Sequence, residues 1–139
     1  MRAWDIRYAT ENDIDTIAKM NIAMALETEN LALHPESIQQ GVAAVMADSS
    51  KGFYIVACSN NEIVGSLMIT FEWSDWRNAN FWWIQSVYVL PEVRGKAVFK
   101  SLYNYIIELG KKNKIAGLRL YAEFQNDNAH QVYNTKFNL

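Results

Sequence analysis

The sequence has few residues that could form a covalent or metal crosslink. Cys58 is the only cysteine, so no intramolecular disulfide can form, which favours a reducing compartment. The two histidines, His34 and His130, are far apart and have no cysteine at zinc-ligand spacing. The same scarcity leaves a Cys–His or Ser–His nucleophile unsupported. We therefore expect no metal in this protein.

The sequence also lacks a long apolar run and an excess of positive charge. No stretch approaches the roughly 18 apolar residues of a membrane span, and "MRAWDIRYAT" has no signal-peptide core. Thirteen Lys and Arg stand against 15 Asp and Glu, which disfavours broad nucleic-acid binding. We expect a cytoplasmic protein that binds neither membrane nor nucleic acid.

What the sequence does contain is an ordinary globular composition. Half of its 139 residues are hydrophobic and 13% are aromatic, so the chain can bury a core without crosslinks. No linker, repeat or low-complexity segment interrupts it. We predict a single domain over residues 1–139.

The first half of the chain predicts a strand, two helices and a hairpin. "WDIRYAT" alternates as a strand does, and Thr10 with Asp13 is typical of a helix start. Pro35 suits the first turn of a second helix. "FYIVACS" and "EIVGSLMITFEW" flank the turn "NN" and read as a hairpin.

The second half predicts a central strand followed by helix, strand and helix. "FWWIQSVYVL" is apolar on both faces, as a central strand covered by helices would be. Regular alternation would put Phe81, Trp83, Val87 and Val89 on one face, and Trp82, Ile84, Tyr88 and Leu90 on the other. A helix from Gly95 to Gly110, the strand "LRLYAEF" and a final helix in "NDNAHQVYNTKFNL" follow. This order indicates an α+β (mixed α/β) fold, with helices on both faces of a mixed, mostly antiparallel sheet.

The stretch "LPEVRGKAVFK" joins the central strand to this helix and could bind an anion. The first amides of a helix have no intrahelical partner and carry partial positive charge. Gly95 allows close approach to a ligand, while Arg94 and Lys96 add charge. Neither G-x-x-x-x-G-K-[ST] nor G-x-G-x-x-G is present. Taken alone, the stretch favours an ordinary charged helix start over an anion site.

The sequence resembles the GCN5-related N-acetyltransferase (GNAT) family through two motifs, and "IRYATENDIDTI" and "EWSDWRNANFWWIQSVYV" extend the resemblance over essentially the whole chain. "SVYVLPEVRGKAVFKSLYNYII" is similar to that family's Gln/Arg-x-x-Gly-x-Gly/Ala loop. Gly95 and Ala97 conform to the pattern, and Glu92 departs from it. "NDNAHQVY" resembles Asn-x-x-Ala-x-x-x-Tyr, with Asn126, Ala129 and Tyr133 at its named positions.

The resemblance implies acetyl-CoA as co-substrate and a small-molecule or peptide amine as acceptor. It implies that the strand edge at Val87 and Val89 pairs with the pantetheine arm, and that an amide near Val87 holds the developing oxyanion. Tyr133 would protonate the departing thiolate after direct attack by the amine. The residues expected at the pyrophosphate and the arm are Arg94, Gly95, Lys96, Ala97, Val98, Phe99, Lys100 and Asn126.

A general base must accept the proton that the amine loses, directly or through water. Glu72 is our choice, since it lies at the end of a strand beside the central strand. The sequence leaves other carboxylates open: Glu27, Glu29, Asp75 and Glu123. Four tryptophans, Trp73, Trp76, Trp82 and Trp83, are candidates for an acceptor pocket or for core packing.

The C-terminal end departs from the family pattern. Family members continue after the tyrosine with a glycine turn and further strands, whereas this chain reads "YNTKFNL". We expect the closing strands to be missing, through truncation, through cover by a second subunit in a homodimer, or together with lost catalysis. Two alternatives to the enzyme follow: a non-catalytic CoA-binding or interaction module, and an RNA-binding protein that uses aromatics and "RGKAVFK".

Overall fold

The computed structural model describes the backbone of residues 4–123 and 130–136 and the side chains of residues 4–120. The strands are β1 (Asp5–Tyr8), β2 (Phe53–Ser59), β3 (Glu62–Ser74), β4 (Ala79–Val89), β5 (Gly117–Glu123) and β6 (His130–Lys136). The helices are α1 (Ile14–Glu29), α2 (Pro35–Ala47) and α3 (Val98–Lys112), with short 3-10 helices at Glu11–Asp13 and Pro91–Val93.

Six strands form one sheet within these described ranges, in the order β1-β2-β3-β4-β5-β6. Every neighbouring pair is antiparallel except β4 and β5, which run parallel because α3 connects them as a crossover. The mixed, mostly antiparallel sheet that the sequence predicts is therefore confirmed.

Each face of the sheet is covered by helix, as predicted. On one face, Leu102 and Ile106 of α3 pack in a cluster with Leu67 and Trp82. On the other face, a second cluster joins helical residues to the opposite side of the strands: Ile17, Met20, Val42, Tyr54, Val56 and Tyr88. Cys58 lies in this second cluster as a buried side chain.

The starts of α1 and α2 follow the capping signals in the sequence. The Thr10 amide donates to Oδ2 of Asp13 at 2.7 Å, and Arg7 donates to both carboxylate oxygens of Asp13 at 2.8 and 3.1 Å. Pro35 is the first residue of α2, and the ring nitrogen of His34 accepts from the Ser37 amide at 3.2 Å. The Arg7 contacts tie the start of α1 to β1, whereas the His34 contact caps the start of α2.

The predicted final helix is wrong over the part that the structure describes. Residues His130–Lys136 form β6, which pairs antiparallel with β5 from Gly117↔Lys136 to Glu123↔His130. Val132, Tyr133 and Thr135 are residue types that favour strands, and pairing with the outer edge of β5 satisfies backbone groups that a helix would leave exposed there. The sheet thus extends one strand beyond the point where we expected it to end.

Among the described residues, no helix is both long and apolar enough to cross a membrane. The same residues contain no group of three or more His, Cys, Asp or Glu side chains arranged to hold a metal ion.

Candidate active site

A β-bulge interrupts β4 next to the end of the strand. Met68 pairs with Gln85 and Ser66 pairs with Tyr88, so Ser86 and Val87 lie together opposite Leu67. Ser86 has a φ of 52°, which is the left-handed region that non-glycine residues seldom adopt. The bulge moves the alternation by one residue, so Val87 and Val89 pack with the α3-face cluster and Tyr88 packs with the α1 and α2 cluster.

The regular alternation that we predicted for β4 is therefore wrong beyond Gln85. It placed Val87 and Val89 on the face of Phe81 and Trp83, whereas they share the cluster of Trp82 and Ile84. The physical cause is the extra residue of the bulge, since a single inserted residue exchanges the two faces of a strand.

The parallel strands β4 and β5 separate at the same level as the bulge. Their pairing runs from Phe81↔Gly117 to Ile84↔Leu120, and beyond Leu120 β5 keeps only its pairing with β6 on its other edge. Val87 and Val89 consequently have a backbone edge without a partner strand on the β5 side, within the described residues. An extended chain with amide groups could pair with such an edge.

The loop after β4 is shaped by two residues with positive φ. Gly95 has a φ of 80° and Ala97 a φ of 66°, and α3 begins at Val98. The helix thus starts three residues later than predicted, because left-handed backbone at these positions is incompatible with a right-handed helix. A Cβ built on Gly95 would meet no atom within 4 Å, so this side of the loop is open.

The backbone amides at the start of α3 can bind an anion. The Ser101 amide donates to the Ala97 carbonyl at 3.0 Å, so the amides of Val98, Phe99 and Lys100 precede the helical hydrogen-bond ladder. The amides of Arg94 and Lys96 are already used, since they donate to Pro91 and Val93 carbonyls at 3.3 and 3.2 Å. Anion binding here would therefore rest on the first turn of α3 and its positive dipole end.

The start of α3 is held close to the sheet by Gly65 of β3. A Cβ at Gly65 would lie 2.9 Å from Cγ1 of Val98 and 3.3 Å from the Tyr88 carbonyl oxygen. The indole N–H of Trp4 donates to the Lys96 carbonyl at 2.9 Å and fixes the loop from the other side. These contacts place the first turn of α3 directly beside the end of β4.

A cavity of ≈ 680 Å³ lies between the end of β4, the loop and the C-terminal part of α1. Most of the predicted cofactor-binding residues line it: Val87, Val89, Arg94, Gly95, Ala97, Val98, Phe99 and Lys100. Lys96 does not line it, and Asn126 lies outside the described residues. From α1 the cavity also receives Met24, Glu27 and Thr28; of these, the sequence singled out Glu27 alone, and only as a candidate base.

Glu27, Tyr88 and Arg94 form a hydrogen-bonded cluster on the wall of this cavity. The Tyr88 hydroxyl donates to Oε2 of Glu27, and Nη2 of Arg94 lies 2.7 Å from Oε1 of Glu27. Nε of Arg94 also donates to the Val89 carbonyl at 2.9 Å, and its guanidinium carbon lies 5.3 Å from the centre of the Tyr88 ring. Two nitrogens of the Arg94 guanidinium, Nε and Nη2, thus donate to protein groups.

Within this cluster, the pKa of Glu27 is lowered and the pKa of Tyr88 is raised. The hydrogen bond from Tyr88, and after it the one from Arg94, lowers the pKa of Glu27. Burial, and after it the contact with Glu27, raises the pKa of Tyr88. Glu27 is therefore ionised and Tyr88 protonated at neutral pH, which is the state in which the hydroxyl donates.

Glu72 lies at a different place on the sheet. It is opposite Phe81, four residues along β3 from Met68, which is roughly 13 Å of strand from the bulge. The indole N–H of Trp83 and Nη1 of Arg119 donate to Oε1 of Glu72 at 2.7 and 2.6 Å. The Trp83 bond, and after it the Arg119 contact, lowers the pKa of Glu72. Glu72 does not line the cavity at the end of β4.

Tyr133 lies on β6, where its backbone pairs with Leu120 of β5. Leu120 is also the residue at which the pairing of β5 with β4 ends. The backbone of Tyr133 is therefore level with the point where the sheet opens.

Three features of the site indicate the class of protein. They are the bulge in β4, the separation of β4 from the parallel strand β5, and the start of α3 beside them. The family model described as the acetyltransferase (GNAT) family matches residues 20–138, and the chain belongs to that family. The resemblance seen in the sequence is thereby confirmed, and the family supports an acetyltransferase activity.

Solved structures agree with this assignment. A possible acetyltransferase from Clostridium difficile 630 is 46% identical, with a TM-score of 0.83 over 91% of this chain and 84% of that one. A predicted acetyltransferase with acetyl-CoA from Clostridium acetobutylicum is 17% identical, with a TM-score of 0.70 over 86% and 81%, and shows the shared fold alone. No curated protein matches the chain significantly.

Proposed function

We propose that this protein is an acetyl-CoA-dependent N-acetyltransferase that transfers the acetyl group to a primary amine by direct attack. The observation that carries the proposal is the cavity at the end of β4, which eight of the ten predicted cofactor-binding residues line. The C. acetobutylicum structure, described with acetyl-CoA, supports the choice of acyl donor through its shared fold. The small-molecule or peptide nature of the acceptor is part of the proposal.

Acetyl-CoA would supply the thioester, and this chain's residues would hold it in three places. The amides of Val98, Phe99 and Lys100 suit a pyrophosphate, because they lack helical partners and lie at a positive dipole end. Arg94, Gly95, Lys96 and Ala97 form the loop that leads into them, and Asn126 is proposed at the pantetheine arm. The edge at Val87 and Val89, which has no partner strand on the β5 side, suits the amides of that arm, although the Val89 carbonyl also accepts from Arg94.

The bulge suits the developing charge on the thioester carbonyl. Two residues of β4, Ser86 and Val87, lie opposite one residue of β3, so their backbone groups cannot all enter the ladder. An amide near Val87, on the edge that β5 leaves unpaired, would be the hydrogen-bond donor that stabilises an oxyanion. The rest of β4 stays paired with β3, which keeps that donor fixed.

Proton transfer is assigned to Tyr133 and Glu72. Tyr133 would give its hydroxyl proton to the sulfur as the carbon–sulfur bond breaks, since a phenol with a pKa of about 10 can protonate a thiolate. Glu72 would accept the proton of the attacking amine through intervening water. Its hydrogen bonds from Trp83 and Arg119 keep it ionised but lower its basicity, and it lies outside the cavity, so it would act through water as the final proton acceptor.

The proposed activity is tested by measuring thiol release from acetyl-CoA with a panel of primary amines, each paired with its N-acetylated form as a non-reactive control. We expect amine-dependent release of CoA thiol and formation of the amide. Binding of acetyl-CoA without thiol release for any amine would contradict the enzyme and support the non-catalytic CoA-binding alternative.

The base is tested by comparing Glu72→Gln with Glu27→Gln in the pH dependence of turnover. We expect Glu72→Gln to abolish the rise of kcat through the base's pKa, and Glu27→Gln to leave that limb in place. The reverse result would move the base to Glu27, which already lines the cavity.

A further inference from the structure

A second cavity, of ≈ 730 Å³, opens at the opposite end of the sheet. It is bounded by the ends of β1 and β3, the starts of β2 and β4, and the segment that follows α3. It shares no lining residue with the cavity at the end of β4. Trp82 and Val89, which line the two cavities, are separated by roughly 20 Å of β4. The second cavity is therefore a separate feature of the molecule.

Aromatic rings form much of its wall. The centroid of Phe53 lies 5.3 Å from that of Tyr8 and 5.2 Å from that of Trp82, and Phe71 lies 6.4 Å from Trp82. The tilted and edge-on arrangements are those in which aromatic rings attract one another. Tyr8 is 46% exposed and Trp73 is 60% exposed, so two large rings at this cavity remain open to solvent. A planar ring could extend the cluster at that point.

The backbone around the cavity is fixed on both sides. Gly52 has a φ of 147°, and a Cβ there would lie 2.2 Å from the Ile69 carbonyl oxygen, so the loop before β2 is pressed against β3. On the far side, the Lys114 amide donates to Lys111 and the Ile115 amide donates to Gly110, each at 3.1 Å. A cavity with a rigid rim binds a rigid ligand at little cost in conformational entropy.

The lining of the second cavity carries only positive charge. Lys114 is the charged residue of the cavity, and no Asp or Glu lines it. Lys114 forms no ion pair with any other residue that the structure describes. Three amide side chains, Asn78, Asn80 and Asn113, add hydrogen-bonding capacity beside it. In a chain of net charge −2, this is a local site that complements an anion.

We propose that this cavity binds a flat aromatic molecule that carries a carboxylate or a similar anionic group. The ring would pack on Phe53 and Phe71, beside the edge of the buried Trp82, between the exposed rings of Tyr8 and Trp73. The anion would lie at Lys114 with the neighbouring amides. The proposal does not depend on acetyl transfer, because the two cavities have no residue in common.

The experiment titrates the whole chain with indole-3-acetate and with its neutral isostere indole-3-acetamide, followed by ligand-observed NMR and calorimetry. We expect saturable binding of the acid, with the amide about five-fold weaker, since an exposed ion pair contributes up to about 1 kcal/mol. The difference between the acid and the amide isolates the contribution of the anion.

Two pairs of variants locate the site. Lys114→Gln should reduce acid binding to the level of the amide, while Lys112→Gln, on an exposed lysine outside the lining, should not. Trp73→Ala should weaken both ligands about three- to ten-fold, as loss of a ring contact does. Trp76→Ala should leave both unchanged, because Trp76 is 95% exposed and lies outside this cavity. All four positions are on the surface, so each variant should fold.

Three results would overturn the proposal. One is the absence of saturable binding at about 5 mM probe to folded protein. Another is equal affinity for the acid and the amide. The third is an equal loss of affinity in both variants of a pair. Such a result would show that the probe adsorbs to exposed side chains in general and not to this cavity.

Discussion

Nη2 of Arg94 lies 2.7 Å from Oε1 of Glu27, and this ion pair ties the loop after β4 to the end of α1. It places the guanidinium on the cavity wall, with Nη2 donating to Glu27 and Nε donating to the Val89 carbonyl. We therefore propose that the side chain of Arg94 shapes the cavity, and that the amides at the start of α3 supply the charge for a phosphate.

This role of Arg94 can be separated from direct phosphate binding. Arg94→Ala should weaken acetyl-CoA and acetyl-pantetheine by the same factor, about two- to five-fold, because a half-exposed ion pair is worth no more than about 1 kcal/mol. Calorimetric titration with both ligands measures the two factors. Glu27→Gln should have the same effect, and Lys51→Ala, in the distant pair with Asp48, should have none. A loss confined to acetyl-CoA would show that Arg94 contacts the pyrophosphate.

Ala97 is a second point at which the loop can be tested. Its φ of 66° suits alanine poorly and a β-branched residue worse, so Ala97→Val should lower acetyl-CoA affinity at least about ten-fold by displacing the first turn of α3. Ala97→Gly should retain affinity, since glycine adopts this region freely. Circular dichroism would verify that both variants fold. Normal affinity in Ala97→Val would show that the loop geometry does not matter for binding.

If Tyr133 is the general acid, its substitution should change kcat much more than the dissociation constant of acetyl-CoA. Tyr133→Phe should lower kcat about a hundred-fold or more while changing the dissociation constant of acetyl-CoA little, as the loss of a general acid does. Steady-state kinetics and calorimetry on the same preparation measure both quantities. An unchanged kcat would show that Tyr133 is not the general acid. A similar loss of kcat and of acetyl-CoA affinity would indicate a role in cofactor binding.

Asp13 gives a prediction about stability that is independent of catalysis. The Arg7 hydrogen bonds lower the pKa of this buried carboxylate, so its contribution is present above about pH 4 and is lost as pH falls through the lowered value. Asp13→Asn should cost about 1–3 kcal/mol at pH 7 and less near pH 3. Urea unfolding at several pH values measures the difference, with Asp5→Asn on the exposed part of β1 as control. A cost that stays constant with pH would contradict the ion pair.

Sequence patterns were sufficient for the elements that local signals specify. Pro35 at the start of α2, the Thr10–Asp13 start before α1 and the doubly buried β4 all follow from short-range preferences and hydrophobic period. The loop at Gly95 and Ala97 was identified as a candidate anion site for the same reason. The family assignment depended on two motifs in the correct order.

The features that the sequence did not predict depend on contacts between residues that are far apart in the chain. The bulge at Ser86 has no marker such as glycine, so the exchange of faces at Val87 and Val89 could not be read from alternation. β6 forms where local capping signals suggested a helix, because pairing with β5 outweighs them. The Glu27–Arg94 contact joins residues 67 positions apart, and only the folded chain brings them together.

The most direct test of the account is calorimetric titration of the protein with acetyl-CoA. We predict saturable binding at one site with a dissociation constant below about 1 mM, weakened by Ala97→Val and unaffected by Lys114→Gln at the other cavity. No binding at millimolar acetyl-CoA, with a protein shown to be folded by circular dichroism, would contradict the assignment of the cavity at the end of β4.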